Sequence, residues 1–479
     1  MPVHKGFRLE RDSLGEKEVP AAAYYGIQTL RAFENFRVSA LTAKPAFIKA
    51  TAMVKLAACN ANASLGLLDK KRGSAIARAA SEIIDGSLHD QFIVDVFQAG
   101  AGTSHNMNAN EVIANRAIEL LGGRKGSYSV VHPNDHVNMS QSTNDTMPTA
   151  LRIAALSSSV GLISALKGLA SALKAKSREF SSVIKSGRTH LQDAVPMTLG
   201  QEFGSWAAAV GSSTDRIKRA SEGLKRTSLG STAIGTGINT HPLYREKALE
   251  ALKKASGIKD LRRPEDPFEA LNSSTDFSSF SGALRDAALD LIRIANDIRL
   301  LSSGPMTGLA EISLPPVQPG SSIMPGKVNP VMAEMLDMVS FQVIGADATV
   351  ALAAQAGQLE LNVMLPVINY NLLHSIEILT NAVTAFTDRC VTGIRADATR
   401  CERNFESSEG LATVLNSFIG YEKAAEVAKE SLRTGKTIKE IVTGRGILTE
   451  AEWNRLLDPA QITRPLDLKK FKKQRRPGR

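Results

Sequence analysis

Apolar residues recur at helical spacing through the middle of the chain. Leu162, Leu166, Leu169 and Leu173 advance in steps of four, three and four, which places them on one stripe of a helix. Leu284, Ala288, Leu291, Ala295 and Ile298 repeat the pattern. A third helix is expected from Asn329-Pro330, with Asn as its N-cap and Pro at its first position, running on through Val339 and Val343. Pro366 is expected to kink or end it. Strand-like alternation is sparse, and Ala and Gly are dense enough on these segments to let helices approach closely. The expected fold is all-α: a long central helical bundle over residues 146–395, flanked by a smaller N-terminal domain, 1–145, and a smaller C-terminal domain, 396–479, both mostly helical. The borders are set where helical signals shorten and are broken by Gly and Pro.

Composition narrows the picture. With 43% hydrophobic and 22% charged residues in 479, there is ample material for a large core. No window reaches the ~18 consecutive apolar residues that a membrane span needs. Met1 to Arg11 lacks the apolar core and cleavage pattern of a secretory leader, so the cytoplasm is the expected compartment. Cys59, Cys390 and Cys401 are odd in number and far apart, which suits reduced thiols. The formal charge is +10, but seven basic residues fall between Lys469 and Arg479; without them it is +3. That tail reads as a solvated extension, and its lack of interleaved aromatics argues against a nucleic-acid partner.

Three polar clusters stand out against this apolar background. The first runs from Gly100 to Glu111 and contains Thr103, Ser104, His105 and Asn106. The second runs from Ser140 to Thr149 and contains Ser142, Thr143, Asn144 and Asp145. Both put hydroxyl and amide groups at helix starts, where free N–H groups and the dipole favour anions; taken singly, such residues are also ordinary capping and turn chemistry. The third is Gly320-Ser321-Ser322-Ile323-Met324-Pro325-Gly326-Lys327-Val328-Asn329-Pro330, a loop carrying two hydroxyls and a cation into a helix. It is not a phosphate-binding P-loop, because five residues separate Gly320 from Gly326 and Val328 stands where Ser or Thr is needed. A further stretch, Gly187 to Thr198, holds Thr189 and His190 and precedes a helix that Thr198 and Gln201 open as a capping box. His132 and His136 have a metal-like spacing, but Pro133 between them breaks a shared helical face, and they are read as structural. No metal-ligand set or nucleotide fingerprint is visible, so no cofactor is expected.

The third cluster resembles the signature of the aspartase/fumarase superfamily, Gly-Ser-Ser-x-Met-Pro-x-Lys-x-Asn-Pro. The resemblance extends from about Leu9 to about Pro465 and includes Leu229 to Gly237. Thr103-Ser104, Ser142-Thr143-Asn144-Asp145, Tyr24 to Gly26, Leu30 to Phe36 and Gly357 to Met364 are closer to the aspartases of that superfamily. Gly326, Asn239 to Pro242 and Gly420 to Glu426 are closer to its fumarases.

The resemblance implies a homotetrameric, cofactor-free lyase with active sites built from three subunits, converting L-aspartate to fumarate and ammonia. Fumarate hydration is the alternative, and a non-catalytic scaffold or polyanion-binding protein the remote one. It also implies roles. Ser321 is the base that removes the Cβ proton, giving an aci-carboxylate intermediate. Thr103, Ser142, Thr143 and Ser322 meet the β-carboxylate, and Thr189, Lys327 and Asn329 the α-carboxylate. Thr103, Asn144 and His190 surround the amino group, and Ser104 lines the substrate pocket. Met324 and Glu334 support the site, Glu334 as the partner of His190.

Overall fold

A computed structural model describes residues 4–458 with 462, 463 and 465; the basic tail, Lys469 to Arg479, lies outside the described residues. In chain order the elements are β1 (Phe7–Asp12), β2 (Gly15–Pro20), α1 (Ile27–Asn35), α2 (Pro45–Ser64), α3 (Lys70–Ile84), α4 (Thr103–Leu120), α5 (Thr143–Glu179), β3 (Ile184–Thr189), β4 (Gln192–Thr198), α6 (Leu199–Leu224), α7 (Tyr244–Ser256) and α8 (Glu269–Asn272). They continue with α9 (Thr275–Leu301), β5 (Ile312–Ser313), α10 (Val331–Gln355), α11 (Leu365–Arg389), β6 (Arg395–Ala396), α12 (Ala398–Glu406), α13 (Leu411–Ile419), α14 (Tyr421–Thr434), α15 (Ile438–Gly444) and α16 (Glu450–Leu456). Among the described residues the strands form three two-stranded antiparallel ladders, β1-β2, β3-β4 and β5-β6. The architecture is all-α, as the periodicity predicts, with the long helices α5, α6, α9, α10 and α11 as its bundle.

The chain divides into two compact units whose boundaries fall inside those five helices. The first comprises Met1–Ser164, Ser213–Ala288 and Val339–Thr380. Its N-terminal core packs Ile48, Ala52 and Cys59 of α2 against Ile76, Ala80 and Ile83 of α3 and Val112, Ile113 and Ala117 of α4. Elsewhere in this unit Arg152 of α5 is fully buried; it pairs with Asp276 of α9 at 2.8 Å and lies over the Phe277 ring. The second unit comprises Ala165–Ser212, Leu289–Met338 and Asn381–Arg479. In it Phe203 meets Phe180 edge-on and Trp206 at a tilt where α5 ends and α6 begins, and α12 to α16 close over Phe405, Leu415, Val427, Val442 and Trp453.

Both leucine and leucine/alanine stripes read from the sequence are buried. The capping box at α6 also forms: Thr198 N–H donates to Gln201 Oε1 at 3.0 Å and Gln201 N–H donates to Thr198 Oγ1 at 3.1 Å. By length and composition α5 and α10 are apolar enough to cross a membrane. With Leu162, Leu166, Leu169 and Leu173 all buried, α5 is instead a core helix of the bundle.

Two expectations are corrected. Pro366 neither kinks nor ends the third helix, because α10 stops at Gln355 and Pro366 is the second residue of α11, where its missing N–H costs nothing. Asn329 does not use its side chain as an N-cap. Its amide N–H instead donates to Gly320 O at 2.8 Å, and α10 begins at Val331.

Candidate active site

In the first unit the polar clusters converge on two helix starts. Ala101 and Gly102 both have left-handed backbone, with φ of 61° and 87°, before α4 begins at Thr103. Ala101 N–H donates to Val363 O at 2.8 Å, which holds this strained non-glycine turn in place. Thr103 is exposed, while Ser104, His105 and Asn106 are buried behind it. At the start of α5, Ser142 Oγ accepts from Asn144 N–H at 3.2 Å, so part of its role is capping. Asn106 Nδ2 then donates to Thr143 Oγ1 at 3.1 Å and ties the two clusters together.

The stretch Leu229 to Gly237 joins them. Asn144 Nδ2 donates to Ala233 O at 2.8 Å, and Asp145 accepts from the N–H groups of Gly230 and Thr232 at 3.0 and 2.9 Å. Asp145 also accepts from Ser142 N–H at 3.0 Å. Burial pushes this carboxyl up to about 7, against the three N–H groups and Lys55.

Lys55 is a residue that the sequence reading missed. Fully buried on α2, its Nζ donates to Asn106 Oδ1 at 2.7 Å, Asn138 Oδ1 at 2.9 Å and Gln141 Oε1 at 3.0 Å. Burial pushes its pKa down to about 7, against the opposing charge of Asp145. Three oxygen acceptors around the nitrogen are the environment of an ammonium, whose three N–H groups they satisfy. The signal in the sequence is a lone cation within Ala52-Met53-Val54-Lys55-Leu56-Ala57-Ala58. His105, by contrast, stacks on Phe47 and bonds Thr51; burial and Lys55 push it down to about 3, so it is neutral and structural.

In the second unit Thr189 and His190 lie at the tip of the β3-β4 hairpin, a strand pair that the sequence reading did not predict. Thr189 pairs with Gln192, and His190 and Leu191 between them have φ of 55° and 60°, the backbone of a two-residue primed turn. Both are exposed. The hairpin is anchored beneath by a buried charge cluster. Glu311, fully buried, meets Arg188 Nη2 at 2.6 Å and Lys185 Nζ at 3.0 Å and accepts from Asn404 Nδ2 at 3.1 Å; Lys185 also meets Glu202 at 2.7 Å.

The signature loop is closed at its neck. Gly320 N–H donates to Lys327 O at 2.8 Å, and a Cβ on Gly320 would fall 2.5 Å from that oxygen, so only glycine fits. Above the neck Ser322, Met324 and Lys327 are exposed and Ser321 is half-buried. Ser321 Oγ accepts from Ile323 N–H at 3.2 Å and Met324 N–H at 3.0 Å. Two N–H groups on one hydroxyl oxygen stabilise negative charge there and favour its ionised form. Glu334 lies in the first turn of α10; among the described residues no bond joins it to His190 within one chain. Nor does any group of three or more His, Cys, Asp and Glu among the described residues have the placement to hold a metal ion.

Comparison with known proteins agrees with these motifs. Residues 15–345 match the lyase family, and residues 411–464 match the fumarase C C-terminus. The chain is 49% identical over 458 residues to aspartate ammonia-lyase of Bacillus sp, covering 96% of this chain and 98% of that one. It is 48% identical over 461 residues to a class II fumarate hydratase of Bradyrhizobium diazoefficiens, covering 96% and 97%. Among solved structures, the fumarate lyase:delta crystallin from Brucella melitensis bound to cobalt is 51% identical, with a TM-score of 0.93 over 96% of this chain and all of that one.

Proposed function

The chain belongs to the lyase family of aspartases and fumarases, and on that premise we propose that it converts L-aspartate reversibly to fumarate and ammonia. Overall identity separates the two activities poorly, since an aspartate ammonia-lyase and a fumarate hydratase match at 49% and 48%. What carries the reading is the residue choice at the two joined helix starts, Thr103-Ser104 and Ser142-Thr143-Asn144, both of aspartase form.

Ser321 removes the Cβ proton. Its oxygen already accepts two backbone N–H bonds, which is the support that a hydroxyl needs to act as a base at neutral pH. Proton loss puts a second negative charge on the β-carboxylate side, and Thr103, Ser142, Thr143 and Ser322 donate to it as it develops. Lys327, Asn329 and Thr189 hold the α-carboxylate, with Ser104 lining the pocket and Met324 shaping the Ser321 turn. Thr103, Asn144 and His190 meet the amino group. The reaction as written needs no cofactor.

The complete site is read as shared by three chains of a homotetramer, with Glu334 meeting His190 there. Support comes from the bundle surface: α10 exposes Met338, Phe341 and Leu352, which its 3.6-residue turn puts on one face. Such an apolar stripe calls for a covering surface. Phe341→Glu is therefore expected to yield smaller species in size-exclusion chromatography and to lose activity; an active tetramer in that variant would refute the shared site. The cytoplasm is the proposed compartment, which suits three buried, unbridged cysteines.

Purified protein incubated with fumarate and ammonium is expected to accumulate aspartate, and with fumarate alone to accumulate no malate. Malate in the second reaction would move the assignment to fumarate hydration.

A further inference from the structure

We infer that Asn106, locked by Lys55, is a positioning residue that forces the Thr143 hydroxyl to donate its proton toward substrate. This rests on the reading above that Thr143 meets the developing charge of the β-carboxylate.

The orientation of Asn106 follows from donor and acceptor counts. An ammonium has three N–H donors and no acceptor. Those of Lys55 reach three side-chain amides, so Asn106, Asn138 and Gln141 must each turn a carbonyl oxygen toward it. Carboxamide orientation is ordinarily ambiguous; here the cation decides it. The other ends then point outward as donors: Gln141 Nε2 to Val137 O at 2.9 Å, Asn138 Nδ2 to Gln141 O at 3.2 Å, and Asn106 Nδ2 to Asn138 Oδ1 at 3.2 Å and Thr143 Oγ1 at 3.1 Å.

The last bond has a directional consequence. An amide N–H only donates, so Thr143 Oγ1 accepts, and its own hydrogen must go elsewhere. Among the described residues no acceptor for that hydrogen is present, and Thr143 is only half-buried. The hydroxyl is thus left as a donor with its polarity preset from inside the protein. Were Asn106 rotated, Thr143 would donate inward to the carbonyl and present a lone pair to the anion. A buried lysine with no contact to solvent would in this way fix the sign of one oxyanion contact.

Asn106→Asp separates positioning from packing. A carboxylate keeps Lys55 paired but has no N–H, so Thr143 must spend its hydrogen inward. The expected result is kcat lower by about 10²-fold, the loss typical of one oxyanion donor, with KM within about threefold and a lower Tm, since the bond from Asn106 Nδ2 to Asn138 Oδ1 is lost as well. A merely structural role predicts a Tm change without that kcat loss. Thr143→Val is expected to lose a similar factor. Combined with it, Asn106→Asp should cost nothing more, because the hydroxyl being oriented is gone.

A wild-type kcat in Asn106→Asp overturns the inference. So does a loss that multiplies with that of Thr143→Val, since Asn106 would then act elsewhere while the site reading stands. Wild-type turnover in Thr143→Val strikes the site reading itself. Lys55→Met should lower kcat by freeing the Asn106 amide; if that variant does not fold, Asn106→Asp still decides.

Discussion

Ser321→Ala is expected to lower kcat for aspartate deamination by about 10³-fold or more while leaving the fold untouched. The magnitude has two sources. Removing a positioned general base, the role proposed for Ser321, costs about 10²–10⁴-fold. Ser322 is next in sequence, but the two N–H bonds that support an oxyanion converge on Ser321 Oγ alone, from Ile323 and Met324. The stability half of the expectation follows from exposure. The loop from Ser322 to Val328 is solvent-facing, so the two N–H groups released by the substitution are satisfied by water, and surface changes of this kind stay within about 0.5 kcal/mol. Fumarate absorbance in the ultraviolet reports turnover, and competition by aspartate against a labelled dicarboxylate reports binding, which should be retained. A variant within about tenfold of the wild-type kcat would mean that another group takes the proton.

The bundle was legible because its burial is periodic. Every leucine of the stripe from Leu162 to Leu173 lies in the core, and Thr198 with Gln201 makes the capping box that their spacing implies. The hairpin carrying Thr189 and His190 was not legible, for reasons visible in its residues. Lys185, Ser186 and Gly187 are consecutive and all buried, and a bulge between Ser186 and Arg188 breaks the two-residue period. His190-Leu191 also lacks the Asn or Gly that normally marks a two-residue turn. The first ladder hides in the same way: Glu10 is buried on β1 while its neighbour Leu9 is half exposed, the inverse of the usual polarity.

For the site, the polar clusters announced themselves as composition, but their partners did not. Lys55 is visible as a cation in an apolar run; that it reaches Asn106, Asn138 and Gln141, 51 to 86 positions away, is a property of the packing of α2 against α4 and the segment before α5. The same holds for Glu311, which lies in an unremarkable connection and becomes the centre of a charge cluster only when β3, α6 and α12 close around it. The residues nearest the proposed chemistry are thus the more legible, and those that hold them in place the less.

That distinction makes Glu311→Ala the second large effect. The carboxylate is wholly buried, and although burial raises its pKa, Arg188 and Lys185 outweigh that and hold it below its usual value of 4.5. Removing it leaves Arg188 without its carboxylate, Lys185 with Glu202 alone, and the Asn404 amide with only its long bond to Leu309 O at 3.5 Å. Breaking a buried pair from one side costs about 3–5 kcal/mol, which in a unit of this size lowers Tm by on the order of 10 °C. The sign with pH is fixed by the direction of the shift: the contribution is present above the ordinary carboxylate range and lost as pH falls through the depressed value, so the gap in Tm between wild type and variant should shrink in acid. Function should follow stability, because Thr189 and His190 are the next two residues after Arg188 and their turn is already strained at His190 and Leu191. Once Arg188 is released, the KM for aspartate should rise, because Thr189 is proposed to hold the α-carboxylate. Thermal melts at neutral and acid pH beside steady-state kinetics test both halves; a variant with unchanged Tm would show that the hairpin is held by its ladder alone.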